Sequence, residues 1–314
     1  MSAILLIAFR RWKNIDLILD QCAQSGASRI YIHLDAARNP HDIADVGMVK
    51  AKIDNYRNSS NLDVKILVRD SNVGCAVAMI SSLSTILSFE NELVVLEDDC
   101  IPSLEFFKFM ADSFEAMGSN SDIAVACGAQ FAPISVTGGT WSLSSYPLNW
   151  GWGITRQQWF SLSADIYSKK KLNHKSEHRI PFVERTYWDA GSRRALDGFS
   201  DVWDTLLVRE MIKARKYAIL PGENLVTNLG VEEFALHTGG NQPWTRHPIG
   251  NYVRDSTPPK INHDVDSWLR ENIFKVSFRH IFTTRLTKLK DKITQSQKFA
   301  PLSDRFEGVS SYFA

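Results

Sequence analysis

The sequence predicts an α/β fold, a mostly parallel sheet flanked by helices and followed by a C-terminal helical extension. Three observations carry that expectation. Short aliphatic or β-branched runs alternate with segments of helical spacing through the first half of the chain. The runs are apolar on consecutive positions, as in strands covered on both faces. The segments between them are long enough for helices, so each step reads as a crossover unit joining parallel strands.

In order, the expected strands are Ile4–Phe9, Arg29–Leu34, Val64–Val68, Leu93–Leu96 and Ile123–Cys127. The helices between them cover about Ile15–Ala23, Val46–Tyr56, Ala76–Phe89 and Leu104–Ala116. Ala3 to Phe9 is too short to span a membrane, no basic region precedes it, and no small-residue cleavage site follows. It therefore reads as a first buried strand and not as a signal peptide. Beyond Ile123–Cys127 the pattern is less regular. Gly138 to Gly153 reads as loops with short strands, followed by a helix at about Arg156–Ala164 and an exposed loop from Lys169 to His178. A helix over about Asp201–Ala214 and a strand Tyr217–Leu220 come next, and Phe274–Ile293 is amphipathic and basic. The expected division is a main domain over residues 1–257 and an extension over 258–314.

Composition excludes some classes. The 314 residues carry a formal charge of +1, so no global field recruits nucleic acid. Cys22, Cys75, Cys100 and Cys127 form neither a CxxC pair nor a zinc spacing, which fits a reducing, cytoplasmic setting.

Ligands of open α/β sheets lie outside the carboxyl ends of the strands. There the most informative stretch is Leu93-Val94-Val95-Leu96-Glu97-Asp98-Asp99-Cys100-Ile101-Pro102-Ser103, an apolar run ending in three adjacent acids. Three neighbouring carboxylates repel one another, so their site calls for a cation or a cationic partner. Hard oxygen ligands suit Mg²⁺ or Mn²⁺, which share phosphate oxygens with a substrate. The competing reading is an acidic turn, in which Asp99 or Ser103 caps the following helix.

The surroundings of these acids resemble the GT-A-fold glycosyltransferases, which have a Rossmann-like sheet. The nearest likeness is to the bacterial family-2-like group often labelled hemolytic-protein-like, with a distant likeness to the N-acetylglucosaminyltransferase I family. The resemblance runs from about Ile4 to Thr238 in ordered blocks. Leu6-Ile7-Ala8-Phe9-Arg10-Arg11 is similar to the family's first strand, with Arg10 in place of Asn and Trp12 in place of Pro. Asp35 stands where the family has an aspartate contacting the base, and Asn72-Val73-Gly74-Cys75 resembles its Asn-Leu-Gly-Cys turn. Glu97-Asp98-Asp99 resembles its variant of the DxD motif, and Pro147 to Trp159 its Trp-Gly-Trp block. Leu220-Pro221-Gly222-Glu223-Asn224-Leu225-Val226-Thr227-Asn228-Leu229-Gly230 is similar to another family block, and Leu236-His237-Thr238 to its Thr-His-Thr.

The resemblance implies Asp99 as direct metal ligand, with His237 a second candidate at the metal or diphosphate. It implies donor contacts from Ala8, Phe9, Arg11, Asp35, Asn72, Gly74, Glu97, Asp98 and Trp152. Asp201-Val202-Trp203-Asp204 resembles the family's Asp-x-Trp-Asp step, which implies Asp204 as the base and Asp201 as the second choice. Either acid could instead cap the helix that begins there.

The activity expected is inverting, metal-dependent transfer of a sugar from a nucleotide-diphosphate donor to an acceptor hydroxyl, in bacterial surface polysaccharide or glycolipid assembly. The donor is expected to be UDP-linked, the acceptor a saccharide or lipid-linked saccharide. The basic stretch Phe274–Ile293 leaves peripheral contact with the inner membrane face open beside an ordinary solvated helix. Two other classes compete. Nucleotidyl transfer usually places a glycine-rich phosphate loop after the first strand, whereas Phe9-Arg10-Arg11-Trp12 has no glycine. A non-catalytic sugar- or nucleotide-binding protein of the same fold would not need Asp98, Asp99 and Asp204 together.

Overall fold

The computed structural model describes residues 2–60, 62–167, 180–230, 248–276 and 299–306. His237, the loop Lys169–His178 and most of the basic stretch Phe274–Ile293 lie outside the described residues.

The predicted alternation holds. Strands β1 (Ala3–Ala8), β2 (Ile30–Leu34), β3 (Val64–Val68) and β4 (Glu92–Glu97) are separated by helices α1 (Ile15–Gln24), α2 (Ile43–Ser59) and α3 (Cys75–Ile86). β5 (Cys100–Pro102), α4 (Leu104–Ser119), β6 (Ile123–Cys127), α5 (Ile134–Thr137), β7 (Ser142–Ser144) and β8 (Trp152–Thr155) follow. Then come α6 (Arg156–Ser163), α7 (Phe182–Leu196), α8 (Asp204–Ala214), β9 (Tyr217–Leu220) and β10 (Val226–Asn228). Ser103 opens α4 by accepting a hydrogen bond from the Phe106 N–H, so it is this serine, and not Asp99, that caps the helix.

Eight strands form one sheet in the order β3-β2-β1-β4-β8-β6-β9-β7, while β5 and β10 pair as a separate two-stranded ribbon. β1 pairs parallel with β2 and β4, as β2 does with β3 and β6 with β9. β8 runs antiparallel between β4 and β6, and β7 antiparallel on the β9 edge. Successive side chains of a strand point to opposite faces, and β1 shows it. Leu5 and Ile7 pack into a buried cluster with α3, α6 and α8, whereas Ile4 and Leu6 join a cluster with α1, α2 and α4. The sheet is thus covered on both sides at its centre, which is why β1 and β6 are apolar throughout, whereas the edge strand β3 carries exposed Lys65 and Val68. The C-terminal segment belongs to the same body: Val265 and Leu269 of a short helix, and Leu302, are buried in the first cluster. Among the described residues no helix is long and apolar enough to cross a membrane.

Candidate functional site

The strand β4 delivers the acids, and strand alternation divides them. Leu93 and Val95 face the α3 side and Val94 and Leu96 the other, so Glu97 continues toward α3 and α8 while Asp98 turns toward the end of β1. There Asp98 accepts the Phe9 N–H at 2.9 Å and the Arg11 N–H at 3.3 Å, and its Oδ1 pairs with Arg11 Nη1 at 2.7 Å. Asp98 thereby ties down the turn after β1. The same Arg11 nitrogen lies 3.1 Å from Asp99 Oδ2. Burial alone would lower the pKa of Arg11, but Asp98 and Asp99 beside it hold it above the ordinary arginine range.

One guanidinium does not balance this cluster. Burial, then Asp99 and Asp98, push the Glu97 carboxyl up to about 8, with Asp204 adding to the shift and Arg11 opposing it. Asp99 is also raised, first by burial, with Arg11 opposing and Asp98 adding. Cys75, at the start of α3, is raised by burial and then by the negative charge of Glu97, Asp201, Asp204 and Asp99. The ribbon backs Asp99: Leu229 N–H donates to the Asp99 carbonyl at 2.9 Å, and a Cβ on Gly230 would overlap the Asp99 carboxylate. Gly230 is the one residue type that leaves room for that side chain.

Asp204 is the first residue of α8, with its Oδ1 accepting the Thr205 N–H at 2.6 Å. It raises the Tyr187 hydroxyl as a second cause after burial.

Two other predicted acids are already fully engaged. Asp35 accepts from Ala36 N, Val73 N, Gly74 N and Asn72 Nδ2, all between 2.9 and 3.0 Å. It therefore organises the Asn72-Val73-Gly74 turn instead of presenting oxygens to a base, and Asn72 gives its amide to Asp35 and to the Ala36 carbonyl. Asp201 accepts the Cys75 N–H at 2.6 Å and the Ala76 N–H at 3.4 Å. It occupies the N-terminus of α3, where an anion is favoured by the free N–H groups and the helix dipole. Arg305 neutralises it at 2.9 Å and also donates to the Val73 carbonyl. Gly74, at φ +78°, is packed so closely that a Cβ would overlap Asp201 and Arg305. The α3 N-terminus, expected beside a donor anion, thus carries the protein's own carboxylate.

Trp152 is also placed differently from the expectation. It sits on the central antiparallel strand between Val95 and Cys127, is 1% exposed, and stacks on Trp203 at 5.1 Å. It offers no open face to a sugar. Ala8 is buried, with its carbonyl taken by Asp35 N–H, and Phe9 lies under the Arg38 guanidinium at 4.9 Å. Arg305 and Cys75 were missed: nothing in sequence spacing links position 305 to the turn at 73, and a lone cysteine carries no pattern.

No family model matches the chain, and no curated protein matches it. Among solved structures, HddC from Yersinia pseudotuberculosis is similar at 12% identity and TM-score 0.34, over 50% of this chain and 78% of that one. A 4-diphosphocytidyl-2C-methyl-D-erythritol synthase from Anaerococcus prevotii gives 8% and TM-score 0.37, over 56% of this chain and 80% of that one. A UDP-glucose pyrophosphorylase complexed with UDP-glucose gives 8% and TM-score 0.37, over 70% and 90%. At these TM-scores the likeness transfers no activity to this chain.

Proposed function

We propose that this protein is an inverting, divalent-metal-dependent glycosyltransferase that moves a sugar from a nucleotide-diphosphate donor, UDP-linked by first expectation, to an acceptor hydroxyl. The observation that carries this reading is the acid cluster at the carboxyl end of β4, where three successive carboxylates meet one guanidinium. Arg11 Nη1 lies 2.7 Å from Asp98 and 3.1 Å from Asp99, and burial raises Glu97 and Asp99. Such a site is completed by a cation and by the ligand that shares it.

The donor set fits Mn²⁺ or Mg²⁺. Its oxygens are hard, and since among the described residues no three His, Cys, Asp or Glu side chains are gathered so as to hold an ion by themselves, most of the coordination would have to come from outside the side chains. Phosphate and water would complete the coordination, as Mg²⁺ sites commonly require. A bound cation would neutralise charge developing on the departing diphosphate. Asp99 would hold it, and Glu97 would face it or the donor sugar.

Asp204 is the base of this scheme. The acceptor oxygen attacks the anomeric carbon as the bond to the diphosphate breaks, and the acceptor proton passes to the Asp204 carboxylate. Inversion follows from one displacement without a covalent intermediate. Arg11 keeps Asp98 and Asp99 oriented; its Nε, buried and unpaired among the described residues, is a donor available to a phosphate oxygen after small side-chain movement. Asp201 and Arg305 support the loop that leads into Asp204.

The test is to incubate the protein with UDP-, GDP-, dTDP- and CMP-sugars and Mn²⁺ and to identify the released product. Release of the nucleoside phosphate moiety with free or transferred sugar, lost in Asp204→Asn, is expected. Release of pyrophosphate from a nucleoside triphosphate and a sugar phosphate would instead make it a nucleotidyltransferase, and no turnover with any donor would leave a binding protein.

A further inference from the structure

A second feature lies four strands from the acids. β7 is the last strand of the sheet and runs antiparallel to β9, with Ser142 opposite Leu220. Trp141 therefore stands at the carboxyl end of β9, on the same edge of the sheet as Glu97, because β4 and β9 run in the same direction. Beside it runs the segment around Lys260, held by Leu143 N–H to the Lys260 carbonyl at 2.8 Å and Asn262 N–H to the Leu143 carbonyl at 3.0 Å. Between the two is an open groove of about 530 Å³.

The lining decides what it can take. Trp141 is half-buried, and its Nε1 donates to the Thr257 carbonyl at 2.9 Å, which fixes the indole plane without help from any ligand. Around it stand Asp255, Lys260, His263 and Asp264. Two carboxylates beside one ammonium make a poor site for phosphate, since each carboxylate repels it. The apolar lining is Trp141, Pro258 and Ile261, interrupted by charged and hydroxyl side chains, so an acyl chain would lack the continuous apolar cover its methylenes need. A neutral polyhydroxylated ring satisfies every element: its C–H face lies on the indole, and its hydroxyls both donate to carboxylates and accept from Lys260. The volume lies within the usual range for small-ligand sites.

We propose that this groove is a second saccharide-binding site, which holds a distal sugar unit of an oligosaccharide acceptor. At the usual strand spacing it lies on the order of 19 Å along the sheet edge from the β4 acids. It would therefore engage a chain of several sugars whose end reaches Asp204, not the donor. The assignment to an acceptor rests on the transferase reading; the binding itself does not.

The test is calorimetry or saturation-transfer NMR without donor or metal, using oligosaccharides of glucose, galactose, mannose and N-acetylglucosamine on the full chain. One series is expected to bind wild type and to lose affinity by on the order of tenfold in Trp141→Ala, the scale of one lost aromatic contact. Lys260→Ala, at an exposed side chain, is expected to weaken the same ligand and carries the test if the tryptophan variant does not fold. Binding by no series at millimolar concentration, or equal binding by wild type and both groove variants, would overturn the proposal. Saccharide binding without any nucleotide-sugar turnover would sink the transferase reading and leave the groove intact as a binding site.

Discussion

The acids at the end of β4 and those beside the N-terminus of α3 differ in what surrounds their oxygens. Burial raises Asp35 as it raises Glu97 and Asp99, but at Asp35 donated hydrogen bonds oppose the shift, whereas at Glu97 neighbouring carboxylates add to it. Asp35 has four N–H donors and Asp201 has two backbone amides and Arg305. Glu97 and Asp99 share one arginine with Asp98, and burial and mutual repulsion raise both. A carboxylate whose lone pairs are filled by amides stabilises a turn. One held near others without enough donors waits for a cation. In sequence the β4 acids stand out as three in a row while Asp35 and Asp201 stand singly, and in the fold the donors around each oxygen differ as well.

The sharpest way to break this comparison is to remove the proposed base that adds to the shift on Glu97 and, separately, a hydrogen-bonded acid of the α3 turn. Asp204→Asn is expected to lower kcat by roughly 10²–10⁴ with donor affinity retained, as for loss of a general base. Unchanged kcat in a turnover assay would take Asp204 out of the chemistry. Asp35→Ala should do the reverse. It is expected to cost about 3 kcal/mol of stability in a denaturant titration, because several buried N–H groups lose their acceptor. Arg305→Ala should cost about 2 kcal/mol by removing the cation paired with Asp201 and the side-chain donor to the Val73 carbonyl, and should speed amide exchange at Cys75 and Ala76. Equal exchange in the variant would mean that the C-terminal segment does not hold the α3 turn.

The pH dependence is a smaller effect with a definite sign. Glu97 in the folded chain stays protonated up to about 8, against 4.5 for the ordinary group. The folded state then binds more protons than the unfolded state across that window, so without metal stability falls as pH rises from about 4.5 to about 8. His33, buried and lowered to about 3 by desolvation and Arg69, has the opposite slope below its ordinary value of 6.5. Comparison with Glu97→Gln cancels that contribution: the stability advantage of wild type should shrink with pH, and Mn²⁺ affinity should grow with it. A pH-independent difference between the two would mean that Glu97 is already ionised. Smallest of all, Trp152→Phe is expected to cost about 1 kcal/mol through lost stacking on Trp203, with donor affinity unchanged. A large loss of donor affinity would return Trp152 to the binding site.

Much of the sheet was legible because burial on both faces writes itself as unbroken apolar runs: Ile123–Cys127 and Tyr217–Leu220, buried at every position, are strands at the residues expected. Val64–Val68 is also a strand as expected, although as an edge strand it exposes Lys65 and Val68. The helix α7 was not read, because Glu184, Arg185 and Ser192 on its buried side interrupt the apolar stripe. β5 and β10 are three residues each, too short for any period to show. The antiparallel β8 hides in a Gly- and Trp-rich stretch, and missing it left Trp152 looking free for a sugar. The division of Glu97 from Asp98 could have been read from strand alternation alone. The bonds of Asp35 and Asp201 could not, since their donors lie on turns brought together only by the fold.

The central claim is that Asp99 and its neighbours bind a nucleotide-sugar through a divalent cation, and the direct measurement is titration calorimetry of UDP and UDP-sugars with Mn²⁺ or with chelator. Wild type is expected to bind one donor only with metal, and Asp99→Ala to lose roughly 10²–10³-fold in affinity, in keeping with several kcal/mol of lost charge stabilisation. Donor binding that is indifferent to chelator and to Asp99→Ala would contradict it, and would make the β4 acids a structural cluster like those around Asp35 and Asp201.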